Sequence, residues 1–323
     1  MKQNWKKYLF VLVNLLLFIG LLFLPYIEID GINKNAVEIL FNGTFTWISL
    51  FISLPFVLYI LGISSFIIIK KKPIITVISM LMFLIAGFLF ISTISFVAFA
   101  HEIDEELLKL SYGAIVLAIL SFAYTFITNS FLISSARFTV KDIVECAMLV
   151  AMAIVLDLPF LKFKIVPNGG SISLAMLPLI IASLRQGPVK GFVVSGIVYG
   201  FINCLIDGYG FISFPFDYLL GFGSLGLVGL FRSYIFPKDK KNYSLKAVIF
   251  MIVALIVAGS GRIIASTISG SLIYGLTFVD SLIYQLLYIP ASIGLCLVAL
   301  ILLYRPLQVI NQLYPLHTNS SIS

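Results

Sequence analysis

Long apolar runs separated by short polar punctuation dominate the chain. The runs fall at 8–27, 46–69, 73–100, 107–129, 143–161, 172–184, 189–207, 213–235, 245–275 and 281–305. A helix needs roughly 20 apolar residues to cross a bilayer's hydrocarbon core, and nearly every run reaches that length. The sixth is short and ends at Arg185. The pattern predicts an all-α, polytopic transmembrane bundle of about ten helices. The first run, from Tyr8 to Ile27, leads straight into Glu28 and Asp30 without a small-residue cleavage site, so it reads as a membrane helix rather than a removable signal.

The punctuation orients the bundle. Loops carrying Lys2, Lys6 and Lys7, then Lys70 to Lys72, Arg137 and Lys141, Arg185 and Lys190, the group from Arg232 to Lys246, and Arg305 all fall on one side and hold 16 of the 21 basic residues. The positive-inside rule makes that side cytoplasmic, which puts both termini inside a multi-pass protein of the cell membrane. Composition agrees, with 61% hydrophobic residues, 11% charged residues and a mean hydropathy of +1.12. So much apolar surface cannot be hidden in a water-soluble core. Topology accounts for the net charge of +7, which is therefore no sign of a nucleic-acid partner. The opposite side holds 11 of the 14 acidic residues, among them Asp157, Asp207, Asp217 and Asp280, and an acidic outer face favours a cationic ligand.

Residues 129–142, NSFLISSARFTVKD, divide two hydrophobic blocks, giving an expected four-helix membrane block over 1–136 and a six-helix domain over 137–323. The first block has almost no intramembrane charge and offers no chemistry. The second carries Gly/Pro clusters and ionisable residues at membrane depth, which are costly there and so are functional candidates.

Those candidates gather at the outer helix ends. They are the loop PNGGSIS with Asn168, Gly169 and Gly170, the turn DGYG at 207–210, the pair Asp217 and Tyr218, and the tyrosines Tyr274, Tyr284 and Tyr288. Asp217, about one turn inside its helix, needs a cation or hydrogen-bond donor beside it. Tyrosines around a carboxylate can cage a flat heterocycle, at about 0.5–2 kcal/mol per cation–π contact. Arg262 lies midway along its run, too deep to snorkel, and is expected to pair within the bundle as a structural charge. The two glycines suit a tight turn.

Other chemistry is missing from the sequence. It has no GxxxxGK[ST] loop for ATP, no HExxH and no GxSxG, and its two histidines, His101 and His317, lie outside the apolar core of the second block. Cys146, Cys204 and Cys296 are spread singly and read as packing residues, so neither a metal nor a cofactor is expected. The chain is expected not to be an enzyme.

The stretch 166–232, VPNGGSISLAMLPLIIASLRQGPVKGFVVSGIVYGFINCLIDGYGFISFPFDYLLGFGSLGLVGLFR, resembles the thiamine-specific substrate-binding subunits (S components) of energy-coupling-factor (ECF) transporters. VECAMLVAMAIVLDLP, GRIIASTISGSLIY and SLIYQLLYIP extend the resemblance over six helices and leave residues 1–136 outside it. It implies an outward-facing vitamin site whose ligand is thiamine or a related heterocycle. It also implies partners: a transmembrane coupling subunit and two ATPases. By the same resemblance Asp217 and Tyr218 bind the aminopyrimidine ring, Tyr274 stacks on the ligand and Tyr284 lines the pocket. The small residues Ala147 and Ala151 would face the coupling subunit. Ser266 and Ile289 stand where the family usually has histidine and asparagine, which removes two polar contacts. The competing reading is a self-sufficient secondary transporter, for which ion-coupling residues and an internal repeat are not found.

Overall fold

The computed structural model describes residues 5–41, 47–66, 73–101, 108–130, 138–165, 170–237 and 245–314. They form two compact units, Met1–Arg137 and Phe138–Ser323.

The first unit contains α1 (Trp5–Leu22), β1 (Pro25–Ile29), β2 (Ile32–Asn35), α2 (Ala36–Phe41), α3 (Trp47–Ser65), α4 (Pro73–His101), β3 (Leu108–Leu110) and α5 (Tyr112–Ser130). The apolar reading of 8–27 as one helix is corrected here. Pro25 cannot continue an α-helix, and Pro25–Ile29 instead forms the centre of an antiparallel sheet in the order β2-β1-β3. Aromatic rings fill the interior, with Phe83 stacked on Tyr124 at 5.1 Å and the hydroxyl of fully buried Tyr26 bonded to Thr93 at 3.0 Å.

The second unit contains α6 (Val140–Leu156), the two-residue strands β4 (Phe163–Lys164) and β5 (Ser171–Ile172), α7 (Met176–Gln186), α8 (Pro188–Asp207), α9 (Phe211–Ile235), α10 (Leu245–Leu272), α11 (Phe278–Leu302) and the short α12 (Tyr304–Leu313). Thr139 starts α6 through a capping box, with its hydroxyl accepting from the Asp142 amide and its own amide donating to the Asp142 carboxylate. Thr277 caps α11 and donates to Asp280 at 2.6 Å. Asp280 is thereby held at a helix end.

Five described helical segments are long and apolar enough to cross a membrane: α8, α9, α10, α11 and residues Ile75–Ala98 of α4. Shorter apolar helices accompany them, and the fold is that of an all-α polytopic membrane protein. Lipid is the natural neighbour of exposed residues such as Ile256, Ile264, Leu287 and Val298 on α10 and α11.

Two features shape the interior of the second unit. At the end of the bundle where α6 begins, Arg185 of α7 makes a bidentate ion pair with Glu145 of α6 and donates to Asn311 of α12 at 2.6 Å. Lys190 of α8 reaches Asp142 at 2.8 Å. Toward the other end, α8 and α9 depart from regular α geometry, with π-helical turns over Val193–Tyr199 and Phe214–Leu220. Such turns re-aim side chains and recur at functional sites. The two segments approach at backbone contact, because a Cβ on Gly196 would collide with the Leu219 carbonyl and with Gly223.

Candidate functional site

Where α6 ends, a cavity of about 900 Å³ opens between α6, α8, α9, α10 and α11. Its size falls within the range of small-molecule pockets. Asp217 and Tyr218 both reach it from the π-helical turn of α9, although they are adjacent in sequence. Asp217 turns to α10, where its carboxylate accepts from the Ser269 hydroxyl at 2.5 Å. Tyr218 turns to α8 and donates to Asp207 at 3.1 Å, and Asn203 donates to the same oxygen at 2.9 Å. Consecutive residues on a helix point roughly 100° apart, so Asp217 and Tyr218 meet different neighbours.

The α11 wall presents Tyr284, Gln285, Tyr288 and Ile289. The Tyr284 hydroxyl accepts from the Gly170 amide at 3.0 Å, which ties the segment leading into β5 to α11. Tyr288 donates to Gln285 at 2.6 Å, and Gln285 makes a long contact of 3.5 Å to the Ser266 carbonyl. The two tyrosine rings meet edge to face at 5.9 Å. Ser266 lies one turn from Ser269 on α10 and lines the same space. Tyr274, in the link between α10 and α11, lines the mouth and is half exposed. Partial burial, with the Asp217 carboxylate nearby, pushes its phenol up to about 12, so it remains a neutral donor and stacking surface.

The cavity therefore gathers Asp217, Tyr218, Ser266, Tyr274, Tyr284 and Tyr288. Gly170 is held against it through Tyr284. Asn168 and Gly169 lie outside the described residues. Ala147 and Ala151 are exposed on α6, away from the helix's buried residues Asp142, Cys146, Val150 and Ala153. The three cysteines are free and buried.

One expectation needs correction. Arg262 finds no pairing partner: among the described residues its Nε and Nη1 are buried with no hydrogen bond, and the guanidinium lies 3.8 Å above the Phe222 ring at the cavity wall. Phe222 supplies a cation–π platform in place of an ion pair. The cavity itself is mixed in charge. Asp157, Asp207 and Asp217 line the cavity together with Lys162, Lys164 and Arg262, so the formal charges cancel, and Lys162 pairs with Asp157 at 3.2 Å.

Several lining residues were not anticipated from sequence as site residues, notably Asn203, Tyr199, Gln285 and Lys162. A signal existed for two of them. Asn203 and Asp207 are spaced i, i+4 on one helix face, and Gln285 is a lone amide in an apolar run.

A family model described as "Thiamine transporter protein (Thia_YuaJ)" matches residues 143–312, which is more than half of the chain and takes in every helix around the cavity. The chain belongs to this family. The thiamine transporter ThiT of Bacillus subtilis (strain 168) is 28% identical over 173 residues, covering 50% of this chain and 89% of that protein. This member of the thiamine transporter family is a multi-pass protein of the plasma membrane. The family match lies within the second unit, starting at residue 143, after the first unit has ended.

Proposed function

We propose that residues 137–323 capture thiamine, or a closely related heterocyclic precursor, from outside the cell, and that the protein is the substrate-binding subunit of an energy-coupling-factor importer. Family membership together with the cavity carries this reading: a serine-bonded carboxylate at Asp217 stands among Tyr218, Tyr274, Tyr284 and Tyr288. The carboxylate accepts from an exocyclic amine, and the tyrosines offer faces to flat rings. Residues 1–136 take no part in recognition on this reading.

The chain has no ATP-binding loop, so an ATP-driven importer requires separate ATPases and a coupling subunit. The exposed Ala147 and Ala151 on α6 support docking of such a subunit, because small residues let another helix approach closely. Purification from the native membrane in mild detergent is expected to recover a transmembrane coupling subunit and two ATPases, and thiamine uptake is expected to stop when ATP is depleted. Uptake by the chain alone in proteoliposomes, driven by an ion gradient, would instead establish a secondary transporter.

A further inference from the structure

Three buried hydrogen-bond donors without partners converge on one ring at the cavity wall. The Nε and Nη1 of Arg262 lie over one face of Phe222, with the guanidinium carbon 3.8 Å from its centroid. The Tyr199 hydroxyl is the third, on a residue with no exposed surface whose ring meets the edge of Phe222 at 4.8 Å and 75°. All three residues line the cavity. Leaving one buried donor unmet costs about 1–3 kcal/mol, so three around a single ring call for an acceptor. None of the three is hydrogen-bonded to Asp217.

The donors have a defined place relative to Asp217. Arg262, Ser266 and Ser269 recur at i, i+4 and i+7, so they share a stripe of α10. Seven residues of helix rise by about 10 Å. Ser269, bonded to Asp217, marks one end of that stripe and Arg262 the other. Thiamine is a rod of comparable proportions, with an amine on the pyrimidine at one end and a hydroxyethyl arm on the thiazolium at the other.

We propose that Arg262 and Tyr199 form a second recognition point that binds the hydroxyl oxygen of the ligand's arm while Asp217 holds the amine, so that the stripe on α10 fixes which end of the ligand enters first. This rests on the reading of the cavity as a thiamine site. A guanidinium edge and a phenol both donate, which suits an oxygen with two lone pairs and gives no partner to an alkyl terminus. The site would then reject ligands that lack the hydroxyl, through the donors left unmet as well as through the lost contact.

The test compares thiamine with the analogue carrying ethyl in place of hydroxyethyl, by titration calorimetry on the full-length purified protein. Wild type is expected to prefer thiamine by at least 10-fold. Tyr199→Phe removes only the hydroxyl and keeps the ring against Phe222. It is expected to bring the preference to 3-fold or less, with the ethyl analogue bound as in wild type. Arg262→Lys keeps the charge, loses the fork, and is expected to do the same. A preference unchanged in both variants overturns the inference. A variant that binds neither ligand also overturns it, because the group would then be shaping the cavity. If wild type binds both ligands equally, the second recognition point is absent while thiamine capture stands; if wild type binds neither, the functional reading itself fails.

Discussion

Replacing Asp217 by asparagine is expected to weaken thiamine binding by about 2–5 kcal/mol, roughly 30- to 4000-fold, because it removes one side of a buried charged hydrogen-bond pair with the ligand. In the free protein the carboxylate accepts from Ser269 at 2.5 Å, and Tyr218, Tyr274, Tyr284 and Tyr288 line the same cavity. An asparagine oxygen can still accept from that serine, so the fold should survive with an unchanged melting temperature. The amide lacks the negative charge, however, and can turn an NH2 group toward the ligand's own donor. Calorimetry with thiamine is the readout. Unchanged affinity would reduce Asp217 to a local helix tie between α9 and α10.

The second large effect separates capture from transport. Ala147→Trp together with Ala151→Trp places two bulky rings, one turn apart, on the exposed face of α6. The buried residues of α6 are Asp142, Cys146, Val150 and Ala153, so the rings project away from the packed side and the cavity is spared. Thiamine affinity of the purified variant should stay within about 2-fold of wild type, while uptake and copurification of the ATPases are lost, since the rings hold a docking helix away. A variant that aggregates or loses binding together with uptake would show that the face is needed inside this chain.

Much of this was legible in the sequence because a membrane imposes a strong pattern. In lipid every backbone polar group must be satisfied within the chain, so long apolar runs become helices and their ends are marked by charge. The polar residues left inside the runs then point to the cavity, which Asp217, Tyr218 and Tyr288 line, while Ser266 was singled out only through the family resemblance. Hydropathy does not distinguish a helix from a short strand at the membrane edge. Tyr26 and Ile27 are fully buried, but within a sheet that pairs with Leu108–Leu110, a partner far away in the sequence. Helical phase was also out of reach where the geometry changes. A helix places residues 217 and 218 about 100° apart, and the π turn of α9 sets which neighbour each meets, α10 for Asp217 and α8 for Tyr218.

Arg262 shows the limit of charge-pairing logic. A buried guanidinium needs a counterpart, and three carboxylates are present in the same cavity, yet its stacking on Phe222 leaves its donors free at the wall. Gln285 was missed for the opposite reason. A neutral amide in an apolar run attracts little attention, and its position between Tyr288 and the Ser266 carbonyl depends on how α11 packs against α10. Ile289, where the resemblance leads one to expect an asparagine, is fully buried and still lines the cavity, so the wall at that point is apolar.

The most direct test is equilibrium binding of thiamine to the purified protein, with the separate pyrimidine and thiazole halves and unrelated vitamins as competitors. Saturable binding of one thiamine per chain is expected, with both halves binding more weakly than the whole molecule and unrelated vitamins failing to compete. No saturable thiamine binding, or tighter binding of an unrelated vitamin, would contradict the assignment.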